Sequence, residues 1–169
     1  MDVTSEVAYA EFVRTRWRDL VRAAVFLGAS PHEAEDLAQQ TLVRCYHAWG
    51  RVTGADNQDA YVYRMLLNQL RDARRTRWWR SRADVEPDGV VADSTDRVVL
   101  ADAVHRALGG LSKDHRDVVV LRYFVQLSEA QTATALGIAA GTVKSRLSRA
   151  LAQLSTSHHL SELTTEETR

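Results

Sequence analysis

The chain has 169 residues, with 22 Lys and Arg set against 22 Asp and Glu, two prolines, eight glycines and one cysteine. That length admits one domain or two small ones, and the scarcity of Pro and Gly beside abundant Ala, Leu, Val and Arg favours an all-helical protein. A single Cys45 excludes an intramolecular disulfide and a CxxC site; no run approaches the roughly 20 apolar residues of a membrane span, and no signal peptide opens the chain, so a cytoplasmic protein without membrane insertion is expected.

Zero net charge gives no whole-protein attraction to nucleic acid, but the charge is unevenly placed. Residues 61–82 carry Arg64, Arg71, Arg74, Arg75, Arg77, Arg80 and Arg82 against Asp72 alone. The next stretch carries Asp84, Glu86, Asp88, Asp93 and Asp96. A basic block followed by an acidic one is a real asymmetry.

The residues before Tyr9 carry no signal. A first helix then runs to about Leu27, with Val13, Trp17, Leu20, Ala24 and Leu27 on one stripe. Ser30, Pro31 and Glu33 open the second helix as cap, first helical residue and capping-box partner. Ala34, Leu37, Ala38, Leu42, Cys45 and Trp49 form its buried stripe; Glu33, Asp36, Gln39, Gln40 and Arg44 stay outside. Residues 50–59 read as a loop. A third helix follows to about Arg82, with Val62, Met65, Leu66, Gln69, Leu70 and Ala73 inward and Arg64, Asn68, Arg71 and Arg75 outward. Trp79 lies eleven residues after Asn68 and returns to nearly the same azimuth. Arginines, an amide and aromatics on one face are the mixture that holds single-stranded DNA, phosphates on arginines and bases on rings and amides. Packing of Trp78 and Trp79 against the protein is the competing reading.

Residues 83–95, with Pro87 and Asp88-Gly89, form a flexible acidic linker. About 13 extended residues reach roughly 45 Å, more than one DNA turn of about 34–36 Å. Residues 96–108 read as a helix with Val99, Ala103, Val104 and Leu108 inward, and Ser112 caps the next, which carries Val118, Val119, Leu121, Arg122 and Tyr123.

Residues 127–154 read as a helix-turn-helix. Ser128 and Gln131 form a capping box, Ala133 permits close helix crossing, Gly137 supplies the left-handed residue of the turn, and Ile138 drops into the core. The second helix starts near Gly141 with Val143, Leu147, Ala150, Leu151 and Leu154 on its buried stripe. Opposite lie Lys144, Ser145, Ser148 and Arg149, with Thr142 and Arg146 on the flanks. A cationic, hydrogen-bonding face free of bulky apolar residues suits the DNA major groove, where Lys and Arg read guanine edges. A solvated surface helix is the bland alternative. After Leu154 the tail of Ser, Thr and Glu reads as disordered, and His158-His159 alone make a poor metal site.

The run GTVKSRLSRAL resembles the second helix-turn-helix of bacterial sigma-70 factors, in particular region 4 of the small extracytoplasmic-function class. LSKDHRDVVVLRYFVQLSEAQTATALG resembles the helices before it. AEDLAQQTLVRCYHAW resembles the region 2 helix that grips the polymerase clamp, and DAYVYRMLLNQLRD the part of region 2 that meets the −10 element. Trp78-Trp79-Arg80 resembles an actinobacterial subgroup. The resemblance covers residues 9–82 and 96–154 in the family's order.

It implies two small helical domains, 5–82 and 96–155, joined by linker 83–95 and followed by tail 156–169. The chain would be a non-enzymatic sigma factor, with core RNA polymerase and promoter DNA as partners, an anti-sigma factor as a candidate controlling partner, and no cofactor or metal. Carried across, Asp36, Gln39 and Gln40 match the polymerase-binding face, and Asn68, with Arg64, Arg71, Arg75 and Trp79 around it, faces the −10 element. Residues 52–59 match the loop that takes a flipped −10 base. Thr142, Lys144, Ser145, Arg146, Ser148 and Arg149 face the −35 element, and Arg122 matches another DNA contact. Two positions depart from the pattern. Tyr61 stands where the family typically has Trp, and Ala139 where it usually has a capping residue, whose loss costs about 1 kcal/mol.

Two other classes explain less of the chain. A dimeric helix-turn-helix regulator explains residues 127–154 but leaves the arginine helix and acidic linker idle, and it implies palindromic sites. An enzyme has no support: no Gly-rich phosphate loop, no HExxH and no definable Ser-His-Asp set occurs.

Overall fold

The computed structural model describes residues 2–81 and 96–156, with side chains over 2–76 and 102–156. All regular structure in that range is helical. The first half comprises α1 (Val3–Phe26), α2 (Pro31–His47), α3 (Trp49–Thr53) and α4 (Gln58–Ser81). The second comprises α5 (Asp96–Gly109), α6 (Lys113–Val119), a π-helical turn over Val120–Phe124, α7 (Glu129–Leu136) and α8 (Ala140–Ser155). The expected linker and tail lie outside the described residues.

Local signals set most helix starts. Ser30 accepts from the Glu33 amide at 3.4 Å, and the Glu33 carboxylate accepts from the Ser30 N–H at 2.9 Å. Ser128 and Gln131 repeat that reciprocal arrangement at α7, at 3.1 and 2.6 Å. Each satisfies two amides that the first turn would otherwise orphan. Ser112 caps α6 through the His115 amide at 3.3 Å. Gly137 closes α7 with φ +68°, the left-handed conformation the turn requires. α8 starts at Ala140 behind Ala139, which makes no side-chain cap.

In the first half α1 packs on α2, and α2 on α4. Leu20 and Ala24 of α1, and Leu27 just after it, meet the α2 stripe and Val62, Leu66 and Leu70 of α4 in one buried cluster. Full burial of each large aliphatic contributes roughly 1.5–3 kcal/mol. The Tyr9 hydroxyl donates to the Leu42 carbonyl at 2.8 Å, and its ring meets Trp49 edge-on at 5.3 Å. Cys45 is fully buried 3.8 Å from the Met65 sulfur, and burial pushes its thiol up to about 11. It is an inert core residue.

In the second half α6 packs on α8, and α7 on α8. Val118, Ala133 and Val143 are buried together, with Ile138 packed against them. The halves also touch. α4 packs on α7, α1 meets the π turn, and Phe26 lies 4.3 Å from Phe124 between ring centroids.

Several expectations require correction. α1 begins at Val3, where Asp2 caps it by accepting from the Ser5 amide at 2.8 Å. The expected loop 50–59 begins with helix α3, whose Val52 is fully buried. Trp17 is exposed at the edge of its stripe, although it lies only about 20° around the helix from fully buried Ala24; Phe12 takes the aromatic place in the core. Leu151 is exposed at the edge of its stripe, about 80° from Val143. Ala73 lies on its stripe but opens into a cleft facing Glu33 and Gln40 across α2. Val99 falls among residues whose side chains are not described.

Two substitutions test these local assignments. Gln126, in the loop after the π turn, has φ +63°, a conformation that disfavours side chains. Gln126→Gly should raise stability by about 0.5–1 kcal/mol, and Gln126→Val should lower it, in urea denaturation. Ala139→Ser should stabilise α8 by about 1 kcal/mol by supplying the missing cap. A thermal midpoint unchanged by Ala139→Ser would show that the first turn of α8 gains nothing from a side-chain acceptor.

Candidate nucleic-acid interface

The open side of α8 carries what the sequence places there. Lys144, Ser145, Ser148 and Arg149 are all exposed, while Val143 and Ala150 on the opposite side are buried. α6 and α7 hold that buried side, so the polar face is presented on a rigid support. Ser145 Oγ donates to the Thr142 carbonyl at 3.1 Å. Thr142 and Arg146 are half-buried on the flank. Arg146 Nη2 pairs with Asp114 of α6 at 2.8 Å, which ties the recognition helix to its support.

Arg122 behaves differently from the exposed set. It leaves the π turn half-buried, and its Nη1 donates to the Leu127 carbonyl at the entrance to α7. Its Nε is buried without a protein partner. In this conformation the guanidinium shapes the loop into α7.

The outer face of α4 is equally clear. Arg64, Asn68, Arg71 and Arg75 are all exposed. Arg71 Nη1 donates to Asn68 Oδ1 at 3.2 Å, so cation and amide form one unit; Arg75 lies 3.5 Å from Asp72. The backbone of Trp78 and Trp79 continues α4, and their side chains lie outside those described. The inner side of α4 is fixed by more than apolar contact. Gln69 Nε2 donates to Thr41 Oγ1 at 2.7 Å, and that hydroxyl donates to the Leu37 carbonyl at 2.7 Å. A buried amide held this way locks the azimuth of α4 against α2, and so aims the arginine face outward. Thr41 lies outside the apolar stripe by residue type, but its place four residues after Leu37 puts it on the same side of α2.

On α2, Asp36, Gln39 and Gln40 are exposed, and Asp36 lies 3.7 Å from the His32 ring. Asp36 and Gln40 line the cleft between α2 and α4. The structure therefore presents three polar faces on α2, α4 and α8. Among the described residues no three His, Cys, Asp or Glu side chains are grouped to hold a metal ion, and no helix is long and apolar enough to cross a membrane.

Known proteins share this organisation. Residues 12–80 match the family profile "Sigma-70 region 2", and residues 101–154 match "Sigma-70, region 4". The chain is 44% identical over 156 residues to the RNA polymerase sigma-E factor of Streptomyces avermitilis, covering 86% of this chain and 82% of that one. It is 33% identical to the ECF RNA polymerase sigma factor SigM of Mycobacterium tuberculosis, over 87% and 75% of the two chains. Among solved structures it resembles CnrH in complex with the cytosolic domain of CnrY, with TM-score 0.69, 28% identity, and 89% and 86% of the chains covered. It also resembles the Bartonella quintana sigma factor RpoE in complex with the anti-sigma factor NepR, with TM-score 0.72, 27% identity, and 87% and 94% covered. Two matched regions in the order of one family, on a fold that both halves share with solved members, place the chain in the extracytoplasmic-function group of the sigma-70 family: it is an RNA polymerase sigma factor that directs promoter-specific transcription initiation and has no enzymatic activity of its own.

Proposed function

We propose how this sigma factor divides its work among the three faces. The domain over residues 5–82 grips core RNA polymerase with Asp36, Gln39 and Gln40 and holds the opened −10 strand on α4. There Asn68 takes an exposed base edge, Arg64, Arg71 and Arg75 take phosphates, and Trp79 extends the same azimuth. The domain over residues 96–155 reads the −35 element with α8. Lys144, Ser145, Ser148 and Arg149 meet base edges, Thr142 and Arg146 meet the flanking phosphates, and Arg122, at the entrance to α7, makes a further DNA contact. This work belongs in the cytoplasm, where polymerase and chromosome are.

The observation that carries this reading is the separation of each helix into a buried side and an exposed polar side. On α8 the exposed side holds Lys144, Ser145, Ser148 and Arg149, and on α4 it holds Arg64, Asn68, Arg71 and Arg75. An anti-sigma factor is also part of the proposal. Both solved relatives with TM-scores of 0.69 and 0.72 are complexes, one with NepR, an anti-sigma factor, and the other with CnrY. The likeness spans about nine-tenths of this chain and so covers both domains at once.

Base and phosphate contacts have different signatures. Losing a base contact costs roughly 1–3 kcal/mol and relaxes preference at one position. Losing a phosphate contact weakens all sequences alike and lowers the salt slope by about one. Transcription from a −35 promoter library by holoenzyme carrying Arg149→Ala should show altered base preference. Arg146→Ala should reduce output nearly uniformly. If both variants shift base preference equally, or neither changes output, α8 is not docked in this orientation.

A further inference from the structure

Two rows of exposed side chains run along the open side of α8. Lys144, Ser148, Leu151 and Ser155 fall within about 40° of one another, and so do Ser145, Arg149, Ala152 and Thr156. Each row carries one cation and ends where α8 ends. Among the described residues neither the Lys144 nor the Arg149 side chain pairs with a carboxylate, whereas Arg146 pairs with Asp114. Leu151 is 38% exposed, about two turns beyond Lys144. A recognition helix reads bases with its N-terminal residues, so this apolar side chain lies past the residues assigned to base edges.

Residues 157–169 lie outside the described residues, and their sequence complements both rows. They carry Glu162, Glu166 and Glu167 against Arg169 alone, with Leu160 and Leu163 among them. The segment leaves α8 at the foot of the rows. Measured back along the axis from Thr156, Leu151 is about 8 Å away, Arg149 about 10 Å and Lys144 about 18 Å. An extended chain spans about 3.3 Å per residue. Leu160 therefore reaches Leu151, Glu162 reaches Arg149, and Glu166 and Glu167 reach Lys144 with residues to spare for the reversal. Because the segment is tethered, its effective concentration at α8 is in the millimolar range. Contacts too weak to hold a free peptide then suffice. Exposed ion pairs are individually weak, so the dense phosphate charge of a duplex can displace the segment.

We propose that residues 157–169 dock back along α8 in the free chain and compete with DNA for its open face. Glu162, Glu166 and Glu167 lie on Lys144 and Arg149, and Leu160 covers Leu151. The segment is a brake on DNA binding by the free chain, an inference that rests on the assignment of α8 to the −35 element.

Lys113 and Lys144 are the only lysines, and Lys113 Nζ is held by Asp117 at 2.5 Å. Zero-length carbodiimide coupling followed by mass spectrometry therefore reports the docking. The full chain should yield an amide between Lys144 and Glu162, Glu166 or Glu167 within one molecule, lost when a −35 duplex is added. Leu160→Ala should lower the yield while leaving every charge in place. No such product, or one found only between molecules, overturns the docking. In fluorescence anisotropy the chain ending at Thr156 should bind a −35 duplex roughly three- to tenfold more tightly than the full chain. The variant with Glu162→Gln, Glu166→Gln and Glu167→Gln should gain as much. Unchanged affinity in both overturns the competition, and a gain without the cross-link is repulsion from DNA and overturns it too. The −35 assignment is tested separately: Lys144→Ala and Arg149→Ala should weaken duplex binding by the chain ending at Thr156. If they do not while the cross-link forms, the assignment fails and the docking stands.

Discussion

Helix α4 packs on two sides and must leave a third open. One side meets α2 through Leu66, Leu70 and the Gln69–Thr41 bond, another meets α7, and the third presents Arg64, Asn68, Arg71 and Arg75. Packed helices lie about 8–10 Å apart between axes. The −35 and −10 elements are, by their positions, about 25 base pairs apart, or roughly 85 Å along the duplex at 3.4 Å per pair. On the proposed assignment of α4 to the −10 element, a molecule whose α4 touches its helix-turn-helix cannot occupy both elements. The docked arrangement is therefore one state, and promoter recognition needs a second in which α4 and α7 have parted.

The docked state is held by the Phe26–Phe124 ring pair, the α4–α7 packing and the meeting of α1 with the π turn, within one buried cluster that joins residues of both halves. Each domain keeps structure that does not depend on the other: the Gln69–Thr41 lock in the first, the Val118–Ala133–Val143 cluster and the Arg146–Asp114 pair in the second. Opening therefore costs the seam contacts while each recognition face keeps its own support.

Much of this was legible in the sequence because it is local. The capping boxes at Ser30 and Ser128, the left-handed Gly137 and the uncapped Ala139 each depend on residues within four positions of one another. The exposed faces of α4 and α8 follow from helical period, and the family resemblance supplied their meaning. Failures fall where burial depends on a distant neighbour. Trp17 and Leu151 sit at stripe edges, and only the width of the partner helix decides whether such edges are covered. Ala73 sits centrally on its stripe, but the cleft between α2 and α4 leaves it open. The π turn leaves no mark in composition. The meeting of Phe26 with Phe124 is set by domain docking, which no helical period encodes.

The most direct test is the distance between the domains with and without core polymerase. Dyes on Arg18→Cys in α1 and Thr156→Cys after α8 report it by single-molecule energy transfer, since both positions are exposed and the native Cys45 is fully buried. The free protein should show one short distance, and binding to core polymerase should lengthen it by roughly 30 Å or more, on the scale of a DNA turn. A distance that core polymerase leaves unchanged would contradict the requirement that α4 and α7 part before the promoter is read.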